Sequence, residues 1–295
     1  MHVHQVRAIE QRMGKPLCDV FDLVCGTSIG GAGAVSVALA SEFGEGCDKS
    51  EMMLDALVTN VFKKMSLRNY IRRGHRIPDR VRSEFIKGDV CKCLGIDADA
   101  QLAPPSDGDG TSGSKIPHVF VVTSQRSLHD GKFHPFLLTN YVRKLAADGG
   151  RFRGPWANTW PVKEMIAATT AAPTYFSPVV KGPHIFADGG LIHNNPSLVA
   201  ISEARAIWPD RPIGTIISLG CGKSVHEHTP NGGWIGSQML YWGGQIFNLV
   251  GDSQTTHRTV LAMLSAVSPT TDYFRLEPIT GDTPLDVRAR APLLR

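Results

Sequence analysis

The chain has 295 residues, of which 42% are hydrophobic, and its formal net charge is +4. A chain of this length and composition can bury one large core, so we expect a single domain over residues 1–295. The longest apolar stretch, residues 32–40, is too short to cross a bilayer, and no signal-peptide pattern is present; we therefore expect a cytoplasmic protein, either soluble or peripheral on membranes. The six cysteines form no regular framework, which favours reduced thiols over disulfides.

The first element with a chemical signature is a strand, a turn and a helix between residues 20 and 43. Residues 20–25 are mostly apolar, as in a strand buried on both faces, and residues 32–43 have the small and aliphatic content of a packed helix. Between them, G-T-S-I-G places Ser28 between Gly26 and Gly30, where the glycines would remove side chains that collide as strand and helix approach. This is the pattern of a nucleophile elbow, although the pentapeptide alone also fits a structural Gly-Ser turn.

The next distinctive segment is basic. Residues 63–87 contain nine Lys or Arg but only two acidic residues, Asp79 and Glu84. Such an excess can hold a protein against an anionic membrane surface, and it also fits a solvated helix face. We expect no nucleic-acid partner, because aromatic residues for base stacking are sparse in this segment and no nucleic-acid-binding module is present.

Residues 103–115 are rich in Pro, Gly, Ser and Asp, and we expect them to form a flexible loop insertion before a strand over residues 117–123. Further on, the short apolar stretch of residues 184–187 leads into Asp188, Gly189 and Gly190. An aspartate in that position can face a cleft, although Asp-Gly-Gly is also an ordinary tight-turn signal.

The C-terminal part, residues 226–295, is expected to belong to the same domain. It contains a predicted helix over residues 256–266, and the resemblance of residues 273–278 to a late strand of a known family predicts a strand there.

Taken together, G-T-S-I-G-G around Ser28 and D-G-G-L-I-H-N-N-P from Asp188 resemble the patatin-like phospholipase family, most closely its calcium-independent phospholipase branch. Residues 168–176, A-T-T-A-A-P-T-Y-F, resemble the helix-to-loop segment that precedes the family's aspartate, and residues 216–222 resemble the strand and glycine turn that follow it. The resemblance implies a three-layer α/β/α sandwich with a mostly parallel central sheet. It also implies a serine acyl hydrolase that cleaves fatty-acyl esters of phospholipids or related lipids, without cofactor or metal.

The residue types suggest a mechanism for that activity. The Ser28 hydroxyl would attack the ester carbonyl while Asp188 accepts its proton, and an acyl-enzyme would form. Because a carboxylate of ordinary pKa is a weak base for a hydroxyl, we expect partial burial to raise the pKa of Asp188.

One departure from the family accompanies these matches. Members carry a D-G-G-G-x-[RK]-G segment on a first strand whose loop forms the oxyanion hole, and this sequence lacks it. Residues 1–10 resemble the helix that follows that loop, and the missing strand would leave a sheet neighbour unpaired. The Ile29 backbone N–H is the remaining oxyanion candidate. We therefore expect either an N-terminally truncated enzyme or a catalytically impaired lipid-binding or regulatory domain.

A second alternative is an α/β-hydrolase esterase with a Ser-Asp-His triad. The order of residues allows it, with His193, His226, His228 and His257 as candidates for the histidine. Against this alternative, the residues after Asp188 are those of the patatin-like turn.

Overall fold

A computed structural model describes residues 2–40, 42–105, 116–142, 159–224 and 253–280. The α-helices are α1 (His2–Met13), α2 (Leu17–Val20), α3 (Ile29–Ala38), α4 (Glu45–Ala56), α5 (Leu67–Arg73), α6 (Asp79–Glu84), α7 (Cys91–Leu94), α8 (Val162–Thr169), α9 (Ser197–Ile207) and α10 (Ser253–Val267). Short π-helical segments cover Leu57–Val61 and Phe85–Val90, and 3-10 turns cover Phe62–Lys64 and Gly189–Leu191. The strands are β1 (Leu23–Thr27), β2 (His118–Arg126), β3 (Phe133–Thr139), β4 (Val179–Lys181), β5 (His184–Asp188), β6 (Thr215–Leu219), β7 (Lys223–Ser224), β8 (Asp272–Leu276) and β9 (Ile279–Thr280).

The main sheet has five strands in the order β1-β2-β5-β4, with β3 also paired to β2. β1 runs parallel to β2, whereas β2–β3, β2–β5 and β4–β5 are antiparallel. The α/β class is confirmed, but the expectation of a mostly parallel central sheet is wrong for this sheet. The reason is that short turns join β2 to β3 and β4 to β5, and strands joined in this way pair antiparallel. Parallel pairing recurs in β6–β8 and β7–β9.

Helices cover both faces of the main sheet, as a three-layer α/β/α sandwich requires. Successive residues of a strand point to opposite faces of the sheet. Val119 and Val121 of β2 therefore pack on one face, in a cluster with side chains of α3, α7 and α8. Phe120 and Val122 pack on the other face, against α9. All four side chains are fully buried, so β2 lies at the centre of the core.

The helix expected near the N-terminus is present as α1. Val3 and Val6 of this helix share a cluster with Val37 of α3, Cys47 of α4 and Val24 of β1. This cluster holds α1 beside the first strand of the sheet. Among the described residues, no strand pairs with the other edge of β1.

Most predicted elements are present with shifted ends. The strand predicted over residues 20–25 is β1, which begins later because Leu17–Val20 forms the short helix α2. The helix predicted over residues 32–43 is α3, which begins directly after the turn. The strand predicted over residues 117–123 is β2, which extends to Arg126.

Parts of two other predictions lie outside the described residues. These parts are residues 106–115 of the predicted loop insertion and residues 226–252 and 281–295 of the C-terminal part. The described residues between them confirm the predicted helix as α10 and the predicted strand as β8. α10 packs against α9 and β8 pairs with β6, so this segment contacts the preceding elements.

The position of the candidate site follows from the three partners of β2. β3 pairs with residues 120–126 of β2, so β1 and β5, which pair with residues 118–122 and 123–126, must both occupy the opposite edge. β1 is parallel to β2 and β5 is antiparallel, so their C-terminal ends meet where Val122 gives way to Thr123. Thr27 is in register with Val122, and Asp188 is in register with Thr123.

Within the described ranges, no helix combines the length and the apolar content that a transmembrane helix needs.

Candidate active site

Ser28 lies in a strained turn between β1 and α3. It is the N-cap residue of α3, with φ 57° and ψ −131°. Among the described residues other than glycine, only Ser28 and Thr174 have a positive φ. A residue with a side chain in such a conformation costs on the order of 1–3 kcal/mol, and surrounding contacts must hold it there. The strand, the strained serine and the helix have the form of a nucleophile elbow.

The glycines of the turn have different roles. A Cβ atom built at Gly26 would lie 2.1 Å from the carbonyl oxygen of Gly30, so only glycine fits at position 26. Gly30 differs from the expectation, because a Cβ there would lie no closer than 3.8 Å to the His2 ring. The tight position is instead Gly31, where a Cβ would lie 3.0 Å from the side chain of Thr169.

Hydrogen bonds fix both the backbone and the carboxylate of Asp188 at the end of β5. Its backbone N–H donates to the carbonyl oxygen of Ala171 at 3.0 Å, and its own carbonyl oxygen accepts from the Ser124 hydroxyl at 2.9 Å. Its Oδ1 accepts a hydrogen bond from the Gly190 N–H at 2.7 Å. A Cβ at Gly189 would lie 2.2 Å from the Val122 carbonyl oxygen, so that glycine lets the turn pass close to β2. The carboxylate therefore has one fixed orientation.

The two candidate side chains are in direct contact. The Ser28 hydroxyl donates to Oδ2 of Asp188 at 2.6 Å, a short distance for an O–H···O bond. Asp188 is fully buried and Ser28 is partly exposed. Burial raises the pKa of Asp188 to about 7, although the hydrogen bonds from Ser28 and Gly190 act in the opposite direction. Desolvation is thus the larger effect, as the sequence analysis expects for this carboxylate.

Thr169 is a site residue to which the sequence analysis assigned no role. Its Oγ1 accepts a hydrogen bond from the backbone N–H of Ser28 at 3.0 Å and donates to the carbonyl oxygen of Val122 at 2.6 Å. The residue is fully buried. One hydroxyl thus links α8, β2 and the strained turn. Its sequence signal is the A-T-T-A-A-P segment, but the partner of a hydroxyl cannot be read from that segment.

The described histidines do not contact the Ser28–Asp188 pair by hydrogen bonds. The backbone carbonyl of His193 accepts a hydrogen bond from the Thr27 hydroxyl at 2.8 Å. Burial lowers the pKa of the His193 ring. Among the described residues, no histidine ring bonds to Ser28 Oγ or to the Asp188 carboxylate. His257 instead lies 3.2 Å from the Tyr273 hydroxyl. His226 and His228 lie outside the described residues.

The turn contains the backbone N–H that the sequence suggests as a candidate oxyanion donor. Ile29 is the first residue of α3, where a backbone N–H has no acceptor within its own helix. The first turn of α1 lies beside it, with a His2 ring carbon 3.8 Å from a Cβ position built on Gly30. Across the described ranges, no three His, Cys, Asp or Glu side chains are clustered as metal ligands.

Comparisons with known proteins agree on one family. A family model described as patatin-like phospholipase matches residues 1–201, a range that includes both Ser28 and Asp188. Calcium-independent phospholipase A2-gamma of Mus musculus is 25% identical over 285 residues, covering 95% of this chain and 34% of that protein. Phospholipase A I of Arabidopsis thaliana is 26% identical over 312 residues, covering 94% of this chain and 23% of that protein.

A bacterial relative is matched over more of its length. The cGAMP-activated phospholipase of Pseudomonas aeruginosa is 25% identical over 285 residues, covering 95% of this chain and 75% of that protein. The chain thus spans about a third or less of the mouse and plant relatives and three quarters of the bacterial one.

The buried carboxyl group predicts a stability difference that depends on pH. An unfolded aspartate has a pKa of about 4, so between about pH 4 and 7 the folded state binds one proton more than the unfolded state, and stability falls as pH rises. Asp188→Asn removes this titration. The free energy of unfolding of the variant minus that of the wild type should therefore increase across this range by up to a few kcal/mol and then stay constant. Urea unfolding at a series of pH values measures it.

The exposed Ser265, which carries no titratable group, provides the control. Ser265→Ala should show a difference that does not change with pH. A flat difference for Asp188→Asn as well would mean that the carboxyl group is not raised in the folded protein.

Proposed function

The chain belongs to the patatin-like phospholipase family, and on this premise we propose that it is a serine acyl hydrolase acting on phospholipids or related lipid esters. The observation that carries the proposal is the 2.6 Å hydrogen bond from the Ser28 hydroxyl to the buried Asp188 carboxylate. The names of the relatives, which are phospholipases of animal, plant and bacterial origin, support the substrate class.

In the acylation step, Ser28 Oγ attacks the ester carbonyl carbon and its proton passes to Asp188 Oδ2. A carboxylate with a pKa near 7 is a stronger base than an exposed aspartate, and it is still largely ionised just above neutral pH. The tetrahedral intermediate then expels the alcohol part of the lipid, which takes the proton from Asp188. The fatty acyl group stays on Ser28 as an ester.

In the deacylation step, a water molecule attacks the acyl-enzyme and gives its proton to Asp188. Ser28 Oγ leaves as the carbonyl re-forms, and the proton returns to it from Asp188. The products are a free fatty acid and the regenerated hydroxyl. The proton transfers in both steps use only the Ser28 hydroxyl and the Asp188 carboxylate. The name of the mouse relative, a calcium-independent phospholipase, supports activity without calcium.

The oxyanion that forms in both steps requires hydrogen-bond donors. The Ile29 N–H at the start of α3 is the proposed donor from the elbow, and the positive end of the helix dipole lies on the same side. Losing one donor of an oxyanion hole typically costs about a hundred- to a thousandfold in rate. The glycine-rich loop that is absent from this sequence would supply further donors.

The single oxyanion donor proposed among the described residues motivates a second candidate function. A patatin-like domain with a single identified donor can bind lipid while turning it over slowly or not at all. In this case the acyl chain and headgroup would still be recognised, but the chemical step would be impaired. The two candidates differ in the amount of fatty acid that the purified chain releases.

The dyad predicts the effect of two conservative substitutions. Ser28→Ala and Asp188→Asn should each lower fatty-acid release from phospholipid vesicles, measured with a chelator present, by at least about a thousandfold, because each removes a reacting group. Ser265→Ala and Asp210→Asn, at exposed positions, are matched controls and should leave release unchanged.

Two outcomes would contradict the dyad. Activity retained in Asp188→Asn but lost in a variant of His193, His226 or His228 would assign a triad. Equal inactivity of the wild type and both variants, with vesicle binding intact, would support the lipid-binding alternative.

The pKa of Asp188 predicts the pH profile. Because the carboxylate must be ionised to accept the Ser28 proton, kcat/KM should rise about tenfold per pH unit below pH 7 and level off above it. A water-soluble short-chain ester is the suitable substrate, since its own charge does not change in this range. A rate that remains at its plateau down to pH 5 would show that a different group is the base.

The Thr169 bridge predicts a change in kcat without a change in KM. Thr169→Val keeps the shape of the side chain but removes the acceptor for the Ser28 N–H and the donor to Val122. A small displacement of the nucleophile can cost about a hundredfold in rate, so kcat should fall about ten- to a hundredfold while KM stays nearly constant. Thr169→Ser retains the hydroxyl and should stay within a few-fold of the wild type. Loss of activity in both variants, with both folded, would remove the hydroxyl from this role.

A further inference from the structure

We propose that α5 and the two lysines before it form a docking face for membranes that contain anionic lipids. The docking face consists of Leu67 and Ile71 together with the cations Lys63, Lys64, Arg68 and Arg72. The proposal deepens the proposed function, since a phospholipid substrate lies in such a surface, but binding to a membrane is measured independently of hydrolysis.

The apolar part of the docking face is a pair of exposed aliphatic side chains. Leu67 is 65% exposed and Ile71 is 75% exposed. They are four residues apart on α5, so they lie on the same side of the helix. Both ends of the helix are capped. The Ser66 hydroxyl accepts a hydrogen bond from the Asn69 N–H at 3.2 Å, and Gly74, with φ 78°, ends the helix. Two large aliphatic groups are thus presented to solvent on a regular element.

The charged part of the docking face consists of cations without acidic partners. Lys63, Lys64, Arg68 and Arg72 are all exposed, and within the described part of the chain none of them forms an ion pair. A lipid surface with negative charge would provide the counter-charges that the protein does not provide. Each basic residue close to such a surface contributes about 1 kcal/mol, roughly fivefold in affinity.

Other basic residues of the segment 63–87 are engaged within the protein. Arg80 pairs with Glu84 at 2.7 Å, and Arg82 donates to the Ser177 carbonyl oxygen at 2.6 Å. Arg73 lies 4.0 Å from Asp79. Lys87, which is also exposed, lies in the segment Phe85–Val90, so the exposed cations of α5 and the turn before it form a separate group within the basic segment.

The docking face is joined to the active site through one loop. The guanidinium of Arg76, which follows α5, lies over the rings of Tyr70 and Tyr175, at 5.9 and 5.0 Å from their centroids. The Arg76 N–H donates to the Thr174 carbonyl oxygen at 2.9 Å. Ala171, at the start of the same loop, accepts the backbone N–H of Asp188. A membrane bound at α5 would therefore be connected, through Arg76, to the loop that positions the Asp188 carboxylate.

The composition of the docking face favours lipid over nucleic acid. Single-stranded nucleic acids are bound through aromatic side chains on which bases stack, together with cations. The aromatic residue of α5, Tyr70, is half-buried beneath Arg76, and the exposed apolar groups are aliphatic. Aliphatic groups with flanking cations are the features of a helix that lies in a membrane interface.

Vesicle co-sedimentation tests the proposal, with Ser28→Ala as the parent so that no lipid is consumed. The parent should bind vesicles of phosphatidylcholine and phosphatidylglycerol more tightly than vesicles of phosphatidylcholine alone. Adding R68Q and R72Q should weaken binding to the anionic vesicles by about twenty- to thirtyfold, and adding L67S and I71S should weaken it by about tenfold or more. Raising the salt concentration from about 0.1 M to about 1 M, which shortens the Debye length from about 10 to about 3 Å, should weaken the parent more than the R68Q/R72Q variant, which keeps only Lys63 and Lys64 of the four cations.

Matched substitutions elsewhere are the controls. Arg12 and Lys15 are exposed cations near the end of α1, and Leu128 is 67% exposed in the turn after β2. R12Q/K15Q and L128S should leave vesicle binding unchanged. If these controls weaken binding as much as the α5 variants do, the attraction is a general property of the surface and the proposal is wrong.

Hydrolysis of a water-soluble ester, measured with Ser28 intact, separates this proposal from the proposed function. The α5 variants should hydrolyse it as fast as the wild type does. A wild type without esterase activity would overturn the proposed function but not the docking face. Unchanged vesicle binding in both α5 double variants would overturn the docking face. The docking face would also be wrong if these variants lost binding to single-stranded RNA while their vesicle binding stayed unchanged.

Discussion

The candidate site depends on two strand ends meeting at one edge of β2. β1 arrives parallel and β5 arrives antiparallel, and each pairs with its own half of that edge. The residue after β1 and the last residue of β5 are thereby brought into contact although they are 160 positions apart in the chain. Because both strands are fixed by the hydrogen-bond ladder of β2, which is buried over residues 119–124, the 2.6 Å contact between Ser28 and Asp188 is a property of the sheet register rather than of two independent loops.

This arrangement concentrates two unfavourable features in one place. Ser28 has a backbone conformation that costs on the order of 1–3 kcal/mol, and Asp188 carries its carboxyl group in a site where ionisation is disfavoured. The surrounding bonds oppose relaxation of either residue, since Thr169, Gly190, Ala171 and Ser124 each hold a different atom of the pair. In the proposed mechanism the same features would make the pair reactive, because a constrained hydroxyl faces a carboxylate of raised proton affinity. Stability and chemistry therefore oppose each other at these two residues.

The local helices and strands near the candidate site could be predicted from the sequence, whereas part of the strand pairing could not. The turn at Ser28, the strand before Asp188 and the helix α10 are encoded by nearby residues, through apolar periodicity and glycine spacing. The antiparallel pairing of β5 with β2 was not foreseen, because β2 is long enough to take two different strands on one edge and no local pattern reports this. The role of Thr169 could not be predicted for the same reason, because the sequence does not show that its hydroxyl accepts a hydrogen bond from the distant backbone N–H of Ser28. Gly30 was assigned a close contact that belongs to Gly31.

The loop between α8 and β4 contacts both Asp188 and the residues that follow α5. At its beginning, the Ala171 carbonyl oxygen accepts a hydrogen bond from the Asp188 N–H. Further along, the carbonyl oxygens of Thr174 and Tyr175 accept hydrogen bonds from the backbone N–H groups of the residues after α5. Thr174 has φ 70°, so this loop contains the second strained residue among those described, and both strained residues lie next to the same buried core. Arg76 and Ile77 follow α5 and Asp188 ends β5, so this loop links the proposed docking face to the candidate site through backbone hydrogen bonds at both of its ends. Membrane binding at α5 would therefore reach Asp188 only by way of Thr174 and Tyr175.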